Sequence, residues 1–500
     1  MERLWKWFFI LVWVGGSYLP AAGQEMLGMT LGNYAGVNSL QLNPSAMYHS
    51  KVYLDVNLLG LDVFFQNNYL YIDNAEYRFA HFFQSSYQYP MHSELYGTGD
   101  RMFYHYSGKD FRQAYVNLRI NGPGAMLAWG EHTFAITTSV RSATTGYYLP
   151  YEVANFAYLG LNYVPQQSIN YHDRRFFSSA SLTWMEIGLS YAYPVYARGL
   201  NVLALGVSVK RLEGIAGGYV YSRDVDYIVP DDSTLIVKNA NIRAGYSLPV
   251  NYDNNEVQTS PLFRGGGFSG DVGVTYYRLK NYYHRQTVTT LCSYEMPDYL
   301  YRIGLSLIDV GAIRFNKNAE RYSIDNQSSY WNNINHFKYV SMHQLMDTIS
   351  YKFYGDYTTA YQGNSVWVWL PSAVSVQFDY HLQKEWYLNA CVIYGFGLAP
   401  NSVVRPSEIS ITPRYETDWF EADLPLSLYD WYLPRIGLSF RFYYLTIGFD
   451  KIGWFFHLND FTGLDVYLGL KFSLDKGICG SKKQKGCTDM ERYHTKHSYR

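Results

Sequence analysis

The sequence predicts an all-β fold: a single antiparallel transmembrane β-barrel of roughly 14 strands with long extracellular loops. Three observations lead there. Segments of about 10 residues alternate apolar and polar side chains along most of the chain, which is the period of a strand with two unlike faces. Beyond Gly23 no stretch is long and apolar enough for a membrane helix, because charged residues or prolines interrupt every candidate. Aromatic residues reach 18%, with 52 Tyr, 28 Phe and 12 Trp beside 41 Gly. Tyr rings suit the girdles at two membrane interfaces, and an ordinary soluble core has little room for so many. A mean hydropathy of -0.21 is compatible with this, since only alternate residues of a spanning strand touch lipid.

The strands can be taken in chain order. Val52, Leu54, Val56 and Leu58 alternate with Tyr53, Asp55 and Asn57, and Val116, Leu118 and Ile120 with Tyr115, Asn117 and Arg119. Ala125 to Trp129 turns at Gly130-Glu131-His132 into Thr133 to Arg141, and Ile187 to Tyr193 turns near Arg198-Gly199 into Val202 to Lys210. Both read as antiparallel hairpins. Val374 to Leu382 and Ile436 to Phe442 repeat the pattern. Leu464, Val466, Leu468, Leu470, Phe472 and Leu474 then give an unbroken apolar face to a closing strand. The polar, Tyr-rich stretches Asn67 to Asp110, Tyr219 to Asp232 and Asn316 to Gln362 read as the extracellular loops.

Export is expected from the first residues. Arg3 and Lys6 precede the apolar run Phe8 to Val14, and small residues stand at Ala21 and Gly23, the pattern of a signal peptide over 1–23. The barrel is expected over 24–474 in the outer membrane, and 475–500 as a basic tail carrying Lys482, Lys483, Lys485, Arg492, Lys496 and Arg500. An even strand number leaves both ends of the chain periplasmic. In that oxidising compartment Cys479 and Cys487 are candidates for a disulfide, whereas Cys292 and Cys391 are isolated. No C-x-x-C pair or spaced histidines suggest zinc, so no metal or cofactor is expected. A net charge of -1 offers nucleic acid no basic field.

Two motifs resemble chemistry. Gly265-Gly266-Gly267-Phe268-Ser269-Gly270 fits G-x-G-x-x-G, but Asp271 to Tyr277 continues it as a strand and not a helix, so the glycines read as a bend or bulge in the wall. Tyr89 to Glu94 offers His92 and Ser93, which as strand neighbours point to opposite faces and cannot act as base and nucleophile. No G-x-S-x-G or H-E-x-x-H occurs, and an enzyme is not expected. Candidate lumen residues come from the polar set of the later strands: Gln377, Asp379, His381 and Arg441, for which simple filling of a hydrated interior is the plainer role.

Several segments together resemble a known family. Gly36-Val37-Asn38-Ser39-Leu40-Gln41-Leu42-Asn43-Pro44-Ser45-Ala46 is similar to the Asn-Pro-Ala segment that opens long-chain fatty-acid transporter-like (FadL-like) barrels, with Ser45 in place of the Ala. Ile187 to Tyr193 followed by Leu205 to Arg211 resembles a hairpin of that group. Gly270 to Val274, Ile303 to Gly311 and Leu370 to Ala373 resemble an uncharacterised Bacteroidota-type branch of it. The resemblance implies a barrel whose N-terminal segment, with Asn43 and Pro44, is tucked inside as a hatch. It implies a passive channel or transporter for small hydrophobic compounds or, alternatively, a partner of an outer-membrane secretion or assembly system. The partners expected are outer-membrane lipid, a hydrophobic small molecule and an envelope protein. A transporter of this kind is expected to carry an apolar pocket in the lumen, whereas a secretion or assembly partner is expected to be a plugged barrel with no pocket.

Overall fold

The computed structural model describes residues 26–74, 76, 91–93, 100–108, 110–281, 296–456 and 458–474. The expected signal peptide, Cys292 and the tail with Cys479 and Cys487 lie outside the described residues.

Fourteen antiparallel strands close into a barrel. They are β1 (Leu54–Asn67), β2 (Arg112–Asn121, continued by Gly124–Trp129), β3 (His132–Leu149), β4 (Phe177–Arg198) and β5 (Asn201–Ile228). Next come β6 (Gly265–Leu279), β7 (Tyr299–Phe315), β8 (Val366–Trp369, continued by Ala373–Gln383), β9 (Trp386–Gly395) and β10 (Glu408–Glu416). The last four are β11 (Phe420–Asp423 and Leu426–Tyr429), β12 (Leu433–Ile436 and Leu438–Phe442), β13 (Leu445–Phe449) and β14 (Gly463–Leu474). β14 pairs with β1 from Leu54↔Leu474 to Gln66↔Gly463, so the cylinder has no open edge. Short turns join β2 to β3, β4 to β5, β8 to β9, β10 to β11 and β12 to β13 at one end. The first and last strands begin and finish at that same end.

Period-two alternation sorts the side chains. On β14 Asp465, Tyr467 and Lys471 are buried inside while Leu470 and Phe472 stand exposed outside. Across the wall the outer face carries Leu189, Val209, Val272, Leu305, Phe378, Ile411 and Leu428, all exposed. A continuous apolar band of this kind is stable against lipid, not against water. Exposed rings border it: Trp129, Tyr196, Trp386, Trp419, Tyr443 and Tyr444 near the short turns, and Tyr148, Phe268, Trp367, Tyr394, Trp431 and Tyr432 at the other end. On β1 a bulge between Asn57 and Leu59 exchanges the faces, so Asp55 and Asn57 and then Asp62 and Gln66 all point inward. Among the described residues no helix is long and apolar enough to cross a membrane.

Two expected loops are instead regular structure. Tyr219 to Ile228 continues β5, a strand of 28 residues whose upper part pairs with the strand Leu235–Ser247. Within 316–362 lie a further strand, Ala319–Trp331, and a helix, Met342–Tyr354, capped by the Ser341 side chain. These strands stand clear of the apolar band, where no lipid face imposes a hydrophobic alternation. Their polar, Tyr-rich composition therefore reads like loop. The triple glycine 265–267 lies in β6, where Gly265 and Gly267 bring its backbone close against β7.

Candidate functional site

Residues 26–52 do not join the wall; they fill the lumen. Met26, Leu27, Leu42, Met47, Tyr48 and Val52 are almost completely buried there. Asn43 explains the local fold. In extended conformation, its side chain accepts from Ser45 N–H at 2.9 Å and so caps the 3₁₀ helix Pro44–His49, whose first position is proline. The same Asn43 amide donates to Thr275 Oγ1 at 3.1 Å on β6 and to Gln377 Oε1 at 2.9 Å on β8. Ser45 and Thr275 hydroxyls stand 2.6 Å apart. The turn lies so close to the wall that a methyl group at Gly206 would strike Pro44 and Ser45, and one at Gly273 would strike Asn43.

Charged side chains from the wall hold the rest of the segment. Glu416 accepts from the Asn33 backbone and side-chain amides at 2.9 and 2.8 Å. Arg302 and Arg414 donate to Leu31 O, Lys471 to Tyr34 O and Ala35 O, Val37 N–H to Asp55 at 2.8 Å, and Leu27 N–H to Asp450 at 3.1 Å. The candidate lumen residues fall at this plug. Asp379 is fully buried and accepts from Arg302 at 2.7 Å and Arg414 at 2.9 Å. Arg441 binds Glu421 at 2.8 Å, and His381 stacks on Tyr387 with its Nε2 2.6 Å from Lys384 O. Gln377 is the residue that receives the Asn43 amide.

A second ionic centre, at Asp309, is not among the candidates that alternation alone nominates. Its carboxylate accepts from Arg141 at 3.0 and 2.9 Å, Lys210 at 2.9 Å and Arg405 at 2.9 Å. Asp309 sits in a bulge of β7 with φ 56°, a conformation rare for a residue with a side chain, and its N–H donates to Asp271 at 2.7 Å. The signal that was available is a charge on the inward set of a spanning strand, at Arg141, Lys210 and Asp309 alike.

The expected apolar lumen pocket is not found among the described residues. Cavities beside the plug measure about 30 Å³ near Asn43 and Arg302 and about 50 Å³ near Gln41 and Arg141. Each has room for a few waters only. An apolar hollow of about 470 Å³ lies instead on the outer wall, between Leu127, Phe134, Ile136, Leu189 and Val207. The lumen departs from expectation because its inward positions carry so many ionisable groups that they must pair with one another and with the plug. Elsewhere, His92 is held by Glu76 at 3.1 Å and Tyr104 at 2.9 Å, while Tyr89, Pro90 and Glu94 lie outside the described residues. Cys391 is buried on β9, with its Sγ 3.9 Å from the Ser375 hydroxyl.

Residues 44–450 match a family of unknown function, DUF5723. No curated protein matches the chain. Among solved structures, a mutant of the TodX monoaromatic hydrocarbon channel is similar at 10% identity over 91% of this chain and 99% of its own, with a TM-score of 0.43. The Pseudomonas putida toluene transporter TodX is 9% identical over 91% of this chain and 100% of its own, with a TM-score of 0.30. A Pseudomonas aeruginosa FadL homologue is 9% identical over 91% and 98%, with a TM-score of 0.21.

Proposed function

We propose that this chain, which belongs to the DUF5723 family, is an outer-membrane barrel that passes small hydrophobic compounds and is gated by its own N-terminal segment. One observation carries the reading. Within a lumen otherwise lined by charge, the plug places its apolar side chains on apolar patches of the wall. Val37, Leu40 and Met47 pack with Met126, Tyr277 and Tyr299, while Leu27, Leu31 and Leu42 pack with Ile308, Ala373 and Ile393. Withdrawal of the plug bares those patches as a track for an apolar solute, each buried CH₂ of which gains about 0.8 kcal/mol before ordering costs. Neither catalysis nor a cofactor enters this reading.

The adjacent hydroxyls of Ser45 and Thr275 allow a direct test. In the pair Ser45→Cys with Thr275→Cys, oxidation locks the plug to β6. Uptake of a hydrophobic probe by cells should fall to the level of a deletion strain and return on reduction. Uptake that ignores the lock, or is the same in the deletion strain, removes the gate.

A second reading, a partner of a secretion or assembly system, is favoured by the height of the wall. Strands β4 and β5 have 22 and 28 residues, well beyond the roughly 10 needed to span, and their upper parts build a sheet outside the apolar band. On this reading the oxidised double-cysteine barrel behaves as wild type, and an envelope protein copurifies in stoichiometric amount.

A further inference from the structure

We propose that the outer rim over β5 to β8 is a binding site for a phosphorylated glycolipid of the outer leaflet, with Arg211 and Arg314 as the phosphate ligands and Gly266 as the bare floor between them. The inference rests on the outer-membrane placement alone and not on transport.

The register sets the site. Arg211 on β5 pairs with Phe268 on β6, Gly266 on β6 pairs with Arg314 on β7, and Arg314 pairs with Trp367 on β8. All of these side chains are on the outer face. Arg211 lies over the Phe268 ring at 4.9 Å and Arg314 over the Trp367 ring at 5.8 Å. Gly266 has no side chain, so the Arg211 guanidinium leans over it, with Nη2 2.9 Å from where a Cβ would stand, and Glu213 is the residue registered opposite Gly266 on β5. Each guanidinium spends its Nε within the protein, Arg211 on Glu213 at 2.8 Å and Arg314 on Ser365 at 3.0 Å. That fixes the plane of the fork and leaves the terminal amines for a ligand. Among the described residues Arg314 has no carboxylate within ion-pair distance.

The height is that of a lipid headgroup. Below the two arginines the outer face is apolar, with Val209, Val272 and Leu307 exposed. At the opposite end Arg278 and Tyr276 donate to Asn201 at 2.8 and 2.7 Å and form the other polar rim. From Asn201 to Arg211 is about 10 residues, which at about 3.3 Å each and a tilt of about 40° gives about 25 Å, the height of the apolar band in such barrels. Arginine at this level suits phosphate better than lysine, because its planar fork donates two parallel hydrogen bonds. Acyl chains of the same lipid then lie on Val209, Val272 and Leu307.

The test is native mass spectrometry of the full barrel in mild detergent, titrated with lipid A, with dephosphorylated lipid A and with phosphatidylglycerol. Wild type should bind one lipid A at least 10-fold more tightly than the dephosphorylated form, and Arg211→Gln with Arg314→Gln should lose that preference. Gly266→Glu, which sets a carboxylate between the arginines, should lose it as well. Two variants that retain heat-modifiable gel mobility guard against misfolding as the cause. Equal binding of the dephosphorylated lipid by wild type, an unchanged preference in folded variants, or equal displacement by phosphatidylglycerol overturns the proposal. None of these results bears on uptake through the lumen.

Discussion

Replacement of Asp309 by Asn should weaken the barrel more than any single surface change. Asn fits the left-handed backbone that Asp309 adopts, so the substitution removes charge and little else. Left behind are Arg141 and Arg405, both buried, and the half-buried Lys210, all directed at one position, with Glu186 and Asp271 nearby to share among them. Breaking a buried ion pair from one side costs about 3–5 kcal/mol, because the remaining charge has lost its compensation. Unfolding entropy of about 2.1 cal/mol/K per residue over roughly 400 ordered residues is about 0.8 kcal/mol/K, so a loss of about 4 kcal/mol lowers the midpoint by about 5 °C. Heat-modifiable gel mobility, read along a temperature series in one detergent, measures that midpoint. Combining Asp309→Asn with Arg405→Met removes one of the three cations and should recover part of the loss. A single variant that melts within 1 °C of wild type, or a double variant that melts lower still, refutes the account of Asp309 as the compensating charge.

Gly273→Val should push Asn43 off the wall and loosen the plug, which cells report as greater sensitivity to large antibiotics while the barrel stays assembled. Burial by itself would lower the pKa of His343 in the helix Met342–Tyr354, but hydrogen bonds to Asp253 at 2.8 Å and Glu320 at 2.7 Å outweigh it and hold the imidazole above its ordinary value. A raised folded-state pKa contributes stability that is fully present below the unfolded value and lost as pH rises through the folded one. Protection factors over residues 341–355, that is, exchange corrected for its intrinsic pH dependence, should therefore be higher at pH 6 than at pH 9, with the difference abolished in His343→Gln. N-terminal sequencing of protein from the outer membrane should begin at Gln24, and an intact Met1 there would count against a cleaved signal. Non-reducing peptide mapping should recover Cys479 and Cys487 as one linked pair; two free thiols after export would exclude the bond.

Legibility in the sequence followed the lipid. Where a strand faces lipid on one side, as from Leu464 to Leu474 or from Ile187 to Lys210, the apolar set is forced onto alternate positions and the strand can be read directly. Where β5 rises past the apolar band that constraint ends, and Tyr219 to Ile228 looks like loop although it is paired along its length. Inside, the polar set announces only that a residue points inward. Asp379 and Arg441 could be nominated on that ground, but their partners Arg302, Arg414 and Glu421 sit on other strands, and the barrel alone brings them together. Asp309 was harder still. Its role depends on a bulge that turns one residue out of the ladder, and a bulge leaves no mark in the alternation beyond a phase slip.

The wall of this barrel is not equally stiff around its circumference. β4 and β5 are joined along 21 registered pairs, whereas β13 meets β14 through four, and β11 and β12 are each interrupted partway, at Leu424-Pro425 and at Gly437. Bending modes of the cylinder must concentrate on that thinly stitched arc, because each ladder rung resists shear and there are few rungs to share it. The plug is rooted on the same arc: Gly28 N–H donates to Tyr467 at 3.0 Å, and Leu27 N–H to Asp450, just beyond β13. Any flexing of the wall there would bear on the base of the plug, with the more heavily paired sector formed by β4 and β5 as the stiffer frame.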